Sequence, residues 1–352
     1  MSIVYIAVGI LMFGLMIAVH ELGHFAVAKA CKVRVDEFSI GMGPAIFKKQ
    51  KGDTLYSLRI IPMGGYCAMA GEDEASDDPR AFTNKKPWQR ALILMAGSFM
   101  NFVMGLAIVL ILFSSAAGFN APVLSGFMED CPYEGENALQ VGDRIYSIDD
   151  RRVYQYYNVS EFLAKGDGEY DIVVKRDGKK VELDDFRLVP LEYEGQDRKM
   201  YGFYFGVDEA TPFNILRHSW NSSMEFARMV WMSLSELVQG NVGMKDMSGP
   251  VGIVDLMAET GTQAPSTREG MFQIFYLSAF IAINLSVMNM LPIPALDGGR
   301  IFFLILTWII ETVTRKKLDP KYEGFLHGAG MLLLLGLMGF VMLNDIFKIV
   351  SG

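Results

Sequence analysis

Cysteine is scarce in this sequence. Cys31, Cys67 and Cys131 are the only three in 352 residues, an odd set without C-x-x-C spacing. That excludes a disulfide framework and a zinc knuckle, and leaves isolated thiols. Histidine is nearly as rare, limited to His20, His24, His218 and His327. Positive charge is in deficit: 32 Lys and Arg face 40 Asp and Glu, a net charge of -8 that argues against a nucleic-acid partner. The apolar opening from Met1 to Val19 has neither a basic leader nor a small-residue cleavage site, so it reads as a membrane span and not as a signal peptide.

Apolar residues, by contrast, are abundant. They make up 51% of the chain, and the mean hydropathy is positive, which is unusual for a soluble protein of this length. Stretches beginning at Ile3, Ala91 and Met271 are long enough to cross a bilayer, and a fourth runs from Phe325 to Leu343. Basic residues cluster where short loops meet these spans: Lys29, Lys32 and Arg34, then Lys85, Lys86 and Arg90, then Arg315, Lys316 and Lys317. The positive-inside rule places those loops in the cytosol, so both termini and the segment 119 to 270 are expected outside.

Between the first two spans, the runs 33 to 40, 54 to 61 and 66 to 70 are β-prone and separated by Gly and Pro turns, which predicts a small sheet beside the membrane. Beyond the second span, Leu139-Gln140-Val141-Gly142-Asp143-Arg144-Ile145 leads into an alternating run that ends at Ile148-Asp149. Further alternation at 170 to 176 and 180 to 183 is joined by Asp177-Gly178, a hairpin signal. Residues 121 to 190 therefore predict one compact β-rich domain, and its pattern resembles a PDZ domain. From 213 to 260, apolar residues such as Trp220, Phe226 and Leu234 recur at helical spacing, as in helices lying on a membrane surface; His218 is expected to face solvent there.

The chemistry concentrates in His20-Glu21-Leu22-Gly23-His24. Two imidazoles four residues apart project from one helix face and can reach one zinc ion, while Glu21 beside them can accept a proton without being a ligand. At the end of an apolar span such groups are costly, on the order of 2 to 3 kcal/mol for a charged one, and are usually paired and functional. A third ligand is needed, with a fourth position open for water. The carboxylates in apolar territory are chiefly Asp297 and Asp345. Asp345 sits beside Asn344 as an interfacial anchor would, whereas Asp297 follows the break Pro292-Ile293-Pro294, where unwound backbone at membrane depth needs protein or a wet cavity around it.

Four elements in one order resemble the bacterial site-2 protease family: the His20 to His24 motif, Phe38 to Pro44, Pro62 to Tyr66, and Asn284 to Arg300 with its Leu-Asp-Gly core. The resemblance implies an intramembrane zinc metalloprotease with zinc on His20, His24 and Asp297, Glu21 as catalytic base, and Asn284 and Asn289 near the bound substrate. It also implies single-pass membrane proteins as substrates, of the anti-sigma factor or signal-peptide-remnant type, cut in a bacterial cytoplasmic membrane after an upstream site-1 type protease. The expected architecture is a polytopic α-helical membrane protein in contact with lipid. It has four transmembrane helices, a membrane-associated β-sheet and one extracytoplasmic PDZ-like domain. Its segments are 1–32 (first span), 33–90 (cytosolic-side sheet and loop), 91–120 (second span), 121–190 (PDZ-like), 191–269 (amphipathic linker), 270–310 (third span), 311–324 (cytosolic loop) and 325–352 (fourth span). The rival reading is a non-catalytic membrane scaffold built around the PDZ-like domain, which would need none of the four site residues.

Overall fold

The computed structural model describes residues 2–72, 76–194, 196–241 and 249–315, with 328–333, 335, 336, 339 and 341 beyond them. His327, Asp345, Lys316 and Lys317, and with them most of the expected fourth span, lie outside the described residues. Among the described residues three helices are long and apolar enough to cross a membrane: α1 (Ser2–Ala30), α2 (Pro87–Phe113) and α6 (Thr267–Asn289). Pro87 opens α2, a position where its missing N–H costs nothing. Ser266 caps α6 by accepting a hydrogen bond from the Glu269 amide, a contact that stabilises a helix start by about 1 kcal/mol.

The chain forms two compact units, residues 1–109 with 226–352 and residues 110–225. In the first, α1 and α6 bury Tyr5, Met16, Ile274 and Ala282 together with Met257 and Ala258 of α5 (Pro250–Gln263). The short runs expected after α1 are instead two long antiparallel strands, β1 (Val35–Lys51) and β2 (Thr54–Met69). Residues 37–40 of β1 pair with both 55–58 and 65–68 of β2, and 45–51 pair with 54–59. The two strands thus fold back into four ranks, leaving 65–69 along one edge. The Gly-Pro turns of the sequence are bends within continuous strands, because backbone pairing carries on through them. Phe38, Cys67 and Met69 pack with Ala28 of α1 and with Ile93 and Leu94 of α2, which fixes that edge against the helices.

The expected third span is interrupted. Helix α6 stops at Asn289, and α7 (Asp297–Thr314) begins after a non-helical link that contains Pro292 and Pro294. Prolines disfavour helix at the residues before them, so the break falls where the sequence sets it.

The second unit is an antiparallel sheet in the order β7 (Lys179–Arg187), β6 (Glu169–Arg176), β4 (Arg144–Ile148), β3 (Gly118–Phe127), β8 (Phe203–Glu209), with β5 (Arg151–Arg152) attached to β4. On β6, Tyr170, Ile172 and Val174 point inward in strict alternation. Each such aliphatic side chain contributes about 1.5–3 kcal/mol on burial. With α3 (Tyr156–Leu163) they close a core around Leu124, Leu139, Ile148 and Phe162. The boundary expected at residue 190 is too early, since β8 pairs with the edge of β3 and α4 (Pro212–Val238) is tied in through Glu225, whose buried carboxylate accepts from Asn158 at 3.1 Å. His218 is another correction: it is buried, not solvated, because its ring stacks on Phe119 at 4.5 Å and donates to Asp208 at 2.7 Å.

Candidate metal centre

His20 and His24 lie one helical turn apart on α1, so both rings leave the same face. Their Nε2 atoms are 3.1 Å apart, and Asp297 Oδ2 lies 3.2 Å from the first and 3.3 Å from the second. Asp297 reaches them because it is the first residue of α7, where the chain re-enters a helix after the Pro292–Leu296 link. That approach is tight. A Cβ on Gly298 would come within 2.3 Å of the Met290 carbonyl group, so only glycine lets α7 start this close to the end of α6.

The protonation pattern follows from the neighbours. His24 Nδ1 donates to the Ile93 carbonyl of α2 at 2.8 Å, which leaves Nε2 with a lone pair. His20 Nδ1 lies 3.4 Å from the side-chain amide of Asn101, whose Oδ1 is buried and otherwise without a partner. With the amide assigned so that Oδ1 faces the ring, it would accept from His20 Nδ1 and leave Nε2 as an acceptor too. Asp297 Oδ2 is itself buried with no hydrogen-bond donor. Two imidazole nitrogens and a carboxylate oxygen therefore converge within 3.3 Å of one another, an arrangement that a cation suits.

Their separations fit a tetrahedral zinc ion. Ligands at about 2.0–2.1 Å around a tetrahedral zinc lie about 3.3 Å from one another. Among the described residues His20, His24 and Asp297 are the one group of His, Cys, Asp or Glu with metal-ligand geometry.

These atoms open into a cavity of about 420 Å³ lined also by Glu21, Tyr66, Cys67, Ala68 and Met69. The edge of β2 thus forms one wall, with Cys67 and Glu21 both facing the cavity. Burial raises the Cys67 thiol far above its usual range, and Cys67 is not part of the metal-ligand group. Asn289 lines the cavity, whereas Asn284, about 140° away around α6, is half-buried and is not among its lining residues. Arg300 and Glu72 also line it and form an ion pair.

Sequence reasoning missed the parts played by Asn101, Gly97 and the pair of Glu72 and Arg300. Asn101 carries the same signal that marked Asp297, a polar side chain in an apolar run. Gly97 of α2 has no such signal, yet a Cβ there would lie 2.3 Å from His24 Nε2 and 2.7 Å from His20 Cε1. The Glu72 to Arg300 pair joins residues far apart in the chain, which no spacing reveals.

The sequence profile of peptidase family M50 matches residues 8–337. A Clostridium acetobutylicum protein that carries a zinc-metalloprotease name is 35% identical over 352 residues, covering 98% of this chain and 98% of that protein. The regulator of sigma-W protease RasP of Bacillus subtilis is 27% identical over 425 residues, covering 97% of both. The zinc metalloprotease RasP of Oceanobacillus iheyensis is 29% identical over 430 residues, covering 97% of this chain and 98% of its own.

Proposed function

This chain belongs to peptidase family M50, the membrane zinc metalloproteases known as site-2 proteases, and from that premise we propose that it hydrolyses peptide bonds in or near the spans of single-pass membrane proteins. The observation that carries the reading is the triangle of acceptor atoms on His20, His24 and Asp297, with Glu21 in the same cavity. In this reading the three residues hold zinc. Zinc, when bound, acidifies water and polarises a carbonyl. Glu21 takes the proton released and delivers it to the departing amine.

A substrate helix hides its carbonyls in internal hydrogen bonds, and the edge of β2 at 65–69 offers strand pairing in exchange. Asn289 faces the same cavity and suits a role in holding substrate backbone, and Asn284 is kept only as a more distant contributor. The RasP name in Bacillus subtilis refers to sigma-W regulation, which supports anti-sigma factors as substrates here, cut after an upstream site-1 type protease. Residues 110–225 would serve as an extracytoplasmic PDZ-like domain, with both termini outside and the basic loops in the cytosol. A pure binding scaffold is not favoured, since the family is enzymatic.

The test is Glu21→Gln beside Asp297→Ala in the full-length protein. Glu21→Gln should keep about one zinc per chain and lose cleavage of a single-span substrate by 100-fold or more, about the value of one general base. Asp297→Ala should lose the zinc. Parental turnover in Glu21→Gln, or full zinc in Asp297→Ala, would remove that residue from its assigned role.

A further inference from the structure

The unit Leu110–Glu225 holds a second cavity, of about 430 Å³, lined by no residue of the metal centre. Four cationic side chains reach it, Arg144 of β4, Arg152 of β5, Lys175 of β6 and Arg217 of α4, against two carboxylates, Asp177 and Asp208. Asp208 is shared: it accepts from Arg144 at 2.6 Å and from Arg217 at 2.5 Å, as well as from His218. Arg217 Nε is buried with no hydrogen-bond partner. Arg152 lies over the Tyr146 ring at 3.4 Å, and Lys175 and Lys180 approach the same ring at 5.0 and 4.3 Å. Burial, with a smaller part from the charge of Arg144, lowers the pKa of Arg152 and of Arg217. In a chain of net charge -8 such crowding is a local exception that an anion would relieve.

The cleft also has a position relative to a bilayer. The last turn of α2, from Leu110, belongs to this unit, and α2 is long and apolar enough to cross a bilayer, which would bring its end out at a membrane surface. From there contacts run without a gap: Phe113 to Phe119 at 5.2 Å, Phe119 stacked on His218 at 4.5 Å, and His218 on Asp208 in the cleft wall. Beside Arg217, α4 presents Phe213, Leu216 and Trp220, exposed by 70%, 54% and 48%. At helical spacing these three fall within about 60° of one another, a single apolar stripe beside Arg217, whose guanidinium lies 5.8 Å from the Phe213 ring. Apolar and aromatic side chains next to basic ones are the composition of an interfacial contact.

We propose that this cleft binds the phosphate of an anionic phospholipid headgroup, with Phe213, Leu216 and Trp220 set into the acyl boundary beside it. Guanidinium forks from different strands suit a phosphate, which accepts several charge-assisted hydrogen bonds at once. An acidic peptide would use the cations and leave the apolar stripe in water, whereas a phospholipid uses both.

The experiment is a titration of the full-length protein in detergent, read by equilibrium binding and therefore separable from any failure of the protease reading. The probes are short-chain phosphatidylglycerol, short-chain phosphatidylcholine, inorganic phosphate and an acidic peptide. Phosphatidylglycerol should bind saturably, and the double variant Arg152→Gln/Lys175→Gln, which leaves the Asp208 network intact, should weaken it by about tenfold or more. Lys165→Gln/Lys199→Gln, which removes the same charge from exposed sites of the unit, should stay within about twofold of the parent. Phosphatidylcholine, inorganic phosphate and the peptide should each bind at least about tenfold more weakly than phosphatidylglycerol. Equal phosphatidylglycerol affinity in parent and cleft variant would overturn the site. Phosphate or peptide binding as tightly as the lipid would overturn the assignment of its occupant.

Discussion

A histidine that ligates a metal almost always has its other nitrogen held elsewhere, and α2 offers this to both rings through the Ile93 carbonyl and Asn101. The helix can come near enough only because residue 97 has no side chain. Gly97→Ala would drive a methyl group to 2.3 Å from His24 Nε2, so the rings or α2 must move. Zinc geometry tolerates little displacement, and we expect Gly97→Ala to weaken zinc affinity by 10–100-fold, the usual range for losing such support. Competition with a metal chelator measures this. Parental affinity in the variant would show that the two helices separate without disturbing the site.

Between elements, the pairing of β8 with α4 rests on Asp208, which binds Arg217 and His218 of the helix and Arg144 of β4. Burial, assisted by the charges of Arg217 and Arg144, lowers the pKa of His218 in spite of its bond to Asp208. Burial alone would raise Asp208, but hydrogen bonds from Arg144 and His218 and the two arginine charges leave it lowered. The folded state then binds fewer protons at His218 than the unfolded chain, where histidine titrates near about 6.5. Its contribution to stability is complete above that value and is lost as the pH falls through the lower, folded-state value. Hydrogen-exchange protection of residues 212–225 should therefore decline from about pH 7 to about pH 5.5, and His218→Gln should flatten that decline. An unchanged slope in the variant would assign the pH dependence to another group.

For the whole molecule, zinc would join the first helix to one near the other end of the chain, since His20 and His24 are on α1 and Asp297 opens α7. A ligand bound only by the folded state at a hundredfold excess over its dissociation constant adds about 2.7 kcal/mol. Chelation should abolish cleavage, and hydrogen exchange should rise in α1 and at the start of α7. Residues 110–225, which supply no ligand, should keep their protection, and added zinc should reverse the change. Exchange that rose equally in both units, or not at all in α7, would contradict this assignment.

The sequence by itself determined the elements whose cause is local. Long apolar runs make α1, α2 and α6, alternation makes β6, Asp177-Gly178 turns it into β7, and the two prolines break the chain before Asp297. The pair His20 and His24 was equally legible, because four-residue spacing on a helix needs no partner to fix its direction. Tertiary structure alone decided what depends on distant segments meeting. It brought Asp297 Oδ2 within 3.3 Å of both imidazoles, turned Gly97 into the space for them, and put Asn289 but not Asn284 on the cavity. It also took His218 out of water and extended the second unit to β8. Periodicity reports which face of an element is apolar, whereas the choice of the element that covers that face is made by packing across the whole chain.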